Sequence, residues 1–65
     1  MYAILESELR KKNISNAAVA SLLNCTERTF YNKLHGSTQF TLNEAFLIHQ
    51  NLLPEYNIDY LFTRA

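Results

Sequence analysis

The sequence predicts an all-α fold, a compact bundle of about five short helices forming one domain over residues 1–65, and three observations carry that expectation. The chain holds one Gly and one Pro, so it has no linker, no low-complexity run and no repeat to separate parts. Ser15, Thr26 and Thr41 each precede apolar residues spaced by three and four, which is how helices begin and how they present one buried stripe. No run alternates in the manner of a strand.

The elements follow in order. A first helix is expected from about Tyr2 to Lys12, burying Leu5 and Leu9, with Ile14 closing beneath it. Ser15 caps a second helix through Val19, Leu22 and Leu23, where Ala20 is small enough for a neighbouring helix to approach. A turn is placed at Leu23-Asn24-Cys25, with Asn24 as the residue that tolerates a left-handed backbone. Thr26 caps the third helix, Glu27 suits the positive end of its dipole, Phe30 and Leu34 face inward, and Gly36 ends it. Thr41 with Glu44 three residues on has the capping-box pattern and opens a fourth helix burying Leu42, Ala45, Phe46, His49, Leu52 and Leu53, up to Pro54. A last turn from Asn57 to Phe62 packs Ile58, Leu61 and Phe62 over the open edge of the bundle.

Helix, sharp turn, helix over Asn16 to Gly36 is an arrangement with which small proteins read DNA. With Phe30 and Leu34 turned in, Glu27, Arg28, Tyr31 and Asn32 face outward and are the candidate base readers. Arg matches guanine and Asn matches adenine in the major groove, while Glu accepts from a cytosine amine and the Tyr ring suits a sugar or a thymine methyl. Each also has a plainer reading as solvated helix surface, and for Glu27 dipole stabilisation weighs equally. Arg10, Asn16, Thr26, Lys33, His35, Ser37, Thr38 and Gln39 flank this helix and are assigned to positioning on the phosphate backbone.

Asn16, Ala20, Asn24, Thr26 and Gly36 together resemble the pattern of the Cro/repressor (XRE) helix-turn-helix family: an amide opening the first helix, a small Ala, a turn residue, a Ser or Thr cap and a closing Gly. Phe40-Thr41-Leu42-Asn43-Glu44-Ala45 and Asn57-Ile58-Asp59-Tyr60-Leu61-Phe62 resemble the fourth and fifth helices of its phage-type members, so the likeness covers nearly the whole chain. It implies a lambda-repressor-like fold, a phage- or prophage-type transcriptional regulator, double-stranded DNA as partner, and a homodimer on DNA. The family usually carries Gln at position 16 and Gly at position 24, so Asn24 here bears the turn strain. It commonly has a Glu at position 34 paired with an Arg like Arg10, and Leu34 leaves Arg10 to meet a phosphate. A chain of this length suits a complete Cro-like protein or the amino-terminal domain of a longer repressor.

The net charge is zero, unlike most DNA-binding domains of this size, but it is unevenly spread. Residues 10 to 36 carry Arg10, Lys11, Lys12, Arg28 and Lys33 against Glu27, a surplus of four, which Glu6, Glu8, Glu44, Glu55 and Asp59 against Arg64 offset in the flanks. One Cys forms no intramolecular disulfide and no metal-ligand set, and the first residues lack a signal or membrane pattern, so a cytoplasmic protein is expected. Cys25 is read as a small core residue and His49 as a packed histidine; no catalytic site, metal, cofactor or small-molecule substrate is expected. Leu47, Leu53, Tyr56 and Phe62 are candidates for a dimer or partner surface. The rival function is a protein-interaction module that keeps the helix-turn-helix shape without binding DNA.

Overall fold

A computed structural model describes residues 1–64, and among them are five helices and no strand: α1 (Ala3–Lys11), α2 (Asn16–Leu22), α3 (Glu27–Leu34), α4 (Leu42–Leu52) and α5 (Ile58–Leu61). The bundle measures 26 × 21 × 21 Å, and its most extensive helix contact is between α2 and α3.

The caps form as the side chains dictate. The hydroxyls of Ser15, Thr26 and Thr41 accept from the backbone N–H of Ala18, Thr29 and Glu44, each at 3.1 Å, and Glu44 returns the bond to the Thr41 N–H at 2.9 Å. These bonds satisfy N–H groups that a helix start leaves unpaired. Helix α1 begins differently, one residue later than expected, because Tyr2 takes the cap position and has no side-chain acceptor for the first turn. Its own N–H instead reaches the Leu34 carbonyl at 3.0 Å, tying the start of α1 to the end of α3.

Three helices stop by one device. Asn13 and Asn24, both at φ 59°, and Gly36, at φ 90°, adopt the left-handed backbone. Each is followed by a residue whose N–H reaches back five positions: Ile14 to Leu9 (3.0 Å), Cys25 to Ala20 (3.0 Å) and Ser37 to Asn32 (2.9 Å). With the inner bonds Asn13 to Arg10, Asn24 to Ser21 and Gly36 to Lys33, these are three Schellman terminations. The expected role of Asn24 and Gly36 is observed. Asn13 does the same for α1, which is why that helix stops at Lys11 instead of Lys12.

The core comprises Tyr2, Leu5, Leu9, Val19, Ala20, Phe30, Leu34, Ile48, Leu53 and Leu61. An aromatic cluster closes one side: Phe40 lies 5.2 Å from Tyr2, 5.3 Å from Phe62 and 6.0 Å from Phe30 between ring centroids, mostly edge to face. Burial on α2 is confined to Val19 and Ala20, with Leu22 and Leu23 only half-buried.

Helix α4 is rotated from its expected setting. Leu42 is 70 % exposed and Phe46 43 % exposed, while Ile48, absent from the expected stripe, is fully buried and Ala45 and Leu52 are half-buried beside it. Two apolar stripes compete on this helix, 42-46-49-53 and 45-48-52, and spacing alone does not choose between them. Packing chooses the second along the helix, while Leu53, just past its end, is buried as expected. His49 is half-buried, and since its Nε2 lies 2.7 Å from the Tyr56 carbonyl, which only accepts, that nitrogen carries the proton and donates.

Candidate nucleic-acid interface

The outward surface of α2 and α3 is built from short local causes. Phe30 and Leu34 are buried, which turns Glu27, Arg28 and Tyr31 to the outside, all exposed, with Asn32 half-buried at the edge. The Asn24 turn folds α2 back against α3, so Asn16 at the start of α2 joins Glu27, Arg28 and Tyr31 in lining one shallow depression. A second, continuous through Glu27, is lined by Ala17, Ala20, Ser21, Asn24 and Cys25. Arg10 shares a third with Glu6, Leu9, Ile14, Ser15 and Asn16. Four residues singled out in the sequence thus meet at one place, with Arg10 adjoining through Asn16.

The flanking residues divide. Ser37, Thr38 and Gln39 are exposed in the loop after α3. His35 is half-buried and its ring sits 4.1 Å from that of Tyr31, which stiffens the Tyr31 side chain. Thr26 uses its hydroxyl locally, accepting from Thr29 N–H and donating to Thr29 Oγ1 at 2.9 Å. Lys33 is turned inward: its side chain is 14 % exposed and its Nζ donates to Glu44 Oε1 at 2.8 Å and to the Gln39 carbonyl at 3.4 Å. Burial opposes the charged form of Glu44, but the Lys33 hydrogen bond, the Thr41 backbone N–H and the Lys33 charge outweigh it and hold the carboxyl below the usual range.

Ion pairing alters the charge picture read from the sequence. Arg10 stands 3.6 Å from Glu6, Lys11 3.7 Å from Glu8, and Lys12 is in contact with Glu55, in addition to the Lys33–Glu44 pair. Arg10 finds its acid, Glu6, one turn earlier on its own helix. Among the described residues, Arg28 and Arg64 are the basic side chains with no carboxylate within ion-pair distance. The chain matches no family model, no curated protein and no solved structure.

The expected partner surface is rearranged. Leu53 is fully buried, because α4 ends by turning it into the core, and it offers nothing to a partner. Leu47 is half-buried instead of exposed, and Tyr56 is held at 2.7 Å as a donor to Glu8, itself 5 % exposed. Phe62, half-buried, borders a mainly apolar groove with Leu42, Ala45, Phe46, Ile58 and one charged residue, Asp59. The sequence reading missed Leu42 and Phe46 as surface residues, having assigned them to the core. Among the described residues no three of His, Cys, Asp and Glu gather where a metal ion would sit, and no helix is long and apolar enough to cross a membrane.

Proposed function

We propose that this chain binds double-stranded DNA in a sequence-specific manner, with α3 in the major groove, as a helix-turn-helix transcriptional regulator of the Cro/repressor type. The observation that carries the reading is the convergence of Asn16, Glu27, Arg28 and Tyr31 on one outward depression, with Arg28 lacking a carboxylate partner among the described residues. A guanidinium on an exposed helix face is the group best suited to a guanine edge, and Glu27 beside it repels phosphate and accepts from cytosine. Asn16 and Arg10, adjoining, suit the sugar-phosphate backbone. Regulation follows from occupancy, by excluding polymerase or a rival regulator.

The groove formed by Leu42, Ala45, Phe46, Ile58 and Phe62 supports a two-fold dimer on DNA, replacing the surface first assigned to Leu47, Leu53 and Tyr56. The same groove is the specific observation in favour of the rival reading, a protein-interaction module.

Selection of bound duplexes from a random pool, followed by anisotropy titration against scrambled DNA, tests the proposal. The expected result is an enriched palindrome with half-sites about 10 bp apart. Arg28→Ala is expected to lower affinity by about 1–3 kcal/mol and to relax preference at one base position. No enrichment, with no retention at low salt, would leave the interaction module as the better reading.

A further inference from the structure

We propose that Arg64, outside the α2–α3 region, supplies a phosphate contact at the downstream end of α3, the place the sequence assigns to Lys33. This rests on the DNA-binding reading and adds to it a residue that the position in the chain does not suggest. Arg64 follows α5 and is counted, in sequence, among the acidic flanks. In space its Nη2 lies 3.8 Å from where a Cβ on Gly36 would stand, against the turn that ends α3 and beside the exposed Ser37 and Thr38.

The guanidinium is held, and its donors are not used up by what holds it. Its carbon sits 5.7 Å from the centroid of the Tyr2 ring, and Tyr2 is itself fixed by burial, by its N–H on the Leu34 carbonyl and by edge contacts to Phe40 and Phe62. Contact with an aromatic ring leaves guanidinium N–H groups available for the two oxygens of a phosphate diester. The simpler role, neutralising the carbonyl end of α3, is weakened because Ser37 and Gly36 already donate to the Asn32 and Lys33 carbonyls. Lys33 is engaged with Glu44, and Arg64 has no carboxylate within ion-pair distance among the described residues. Two cations thus stand against the Gly36 turn, the Met1 amino group at 3.6 Å and Arg64 at 3.8 Å from the same point, and Arg64 is the one whose reach and paired donors suit a phosphate.

The test compares the full chain with Arg64→Gln and Arg64→Lys, titrated by anisotropy onto the selected duplex and onto scrambled DNA over a potassium chloride series. Arg64→Gln is expected to reduce the slope of log affinity against log salt by about 0.9 for each bound subunit. Both duplexes should weaken by a similar factor, so that base preference stays as in the parent. Arg64→Lys keeps the charge and should keep the slope. An unchanged slope in Arg64→Gln overturns the assignment, as does a slope reduced equally in Arg64→Lys, which keeps the charge; a loss of affinity in Arg64→Lys at unchanged slope is the expected cost of the missing two-donor fork. Failure of the parent chain to bind any duplex is a different outcome: it removes the DNA-binding reading and, with it, any phosphate contact.

Discussion

Two kinds of residue set the local behaviour of this chain, and they differ in how far their causes lie along the sequence. Asn24 acts within its own turn, holding φ at 59° so that α2 can end and α3 begin. A left-handed backbone is tolerated by Asn and Gly and resisted by residues with a plain Cβ. Asn24→Ala is accordingly expected to destabilise by roughly 1 kcal/mol, while Asn24→Gly, which relieves strain but frees the unfolded chain, should fall within about 0.5 kcal/mol of the parent in urea melts. Glu8 is the opposite case. It accepts from Tyr56 at 2.7 Å and Tyr60 at 3.4 Å, partners 48 and 52 positions away, so nothing near Glu8 in the sequence announces its burial. The hydrogen bond to Glu8, then loss of solvent, then the Glu8 charge push the Tyr56 hydroxyl up to about 12. Because the folded value exceeds the ordinary 10, the associated stability is present below pH 10 and is lost as pH rises through 12. Ultraviolet titration should show a late-ionising component that Tyr56→Phe removes.

At the scale of elements, starts and stops were readable because capping is local. Ser15, Thr26, Thr41 and Gly36 all act where the sequence places them. Asn13 carries the same signal as Asn24, an Asn two positions before a Ser or Thr cap, and its effect on α1 was legible in principle. The rotation of α4 was not, since more than half of that helix is apolar and only the neighbouring helices decide which stripe is buried. The connection between α3 and α4 depends on Lys33 and Glu44. Glu44 has a lowered folded-state value, so it favours the native state above the ordinary carboxylate range, and that contribution disappears as pH falls through the lowered value. Urea midpoints measured from pH 6 down to pH 3 should therefore fall less steeply for Glu44→Gln than for the parent. Equal slopes would show that this pair does not couple to folding.

Across the whole molecule, the neutral total is largely an internal matter. Arg10, Lys11, Lys12 and Lys33 each face an acid, three of them near enough to the surface for the pairs to exchange readily. The sequence showed a basic segment, but not which of its members were already engaged, because Glu44 and Glu55 come from elsewhere in the chain. The meeting of Asn16 with Glu27, Arg28 and Tyr31 was legible, since the spacing of α2, turn and α3 determines it. The apolar groove was not, for the same reason that α4 was misjudged. Phe46→Asp adds a second carboxylate to the groove already bordered by Asp59, without touching the fully buried core. It is expected to leave thermal unfolding within a few degrees of the parent while weakening cooperative occupancy of paired half-sites at least tenfold, as read by gel shift on one-site and two-site duplexes.

The two connections Asn13-Ile14-Ser15 and Asn24-Cys25-Thr26 share a left-handed Asn, the same pair of back-reaching bonds and the same kind of hydroxyl cap. Only the second borders the depression that contains Glu27. Asn13→Ala and Asn24→Ala should therefore injure folding alike, and an unequal effect on a ligand separates the depression around Glu27 from the one that Ile14 and Ser15 share with Arg10 and Asn16.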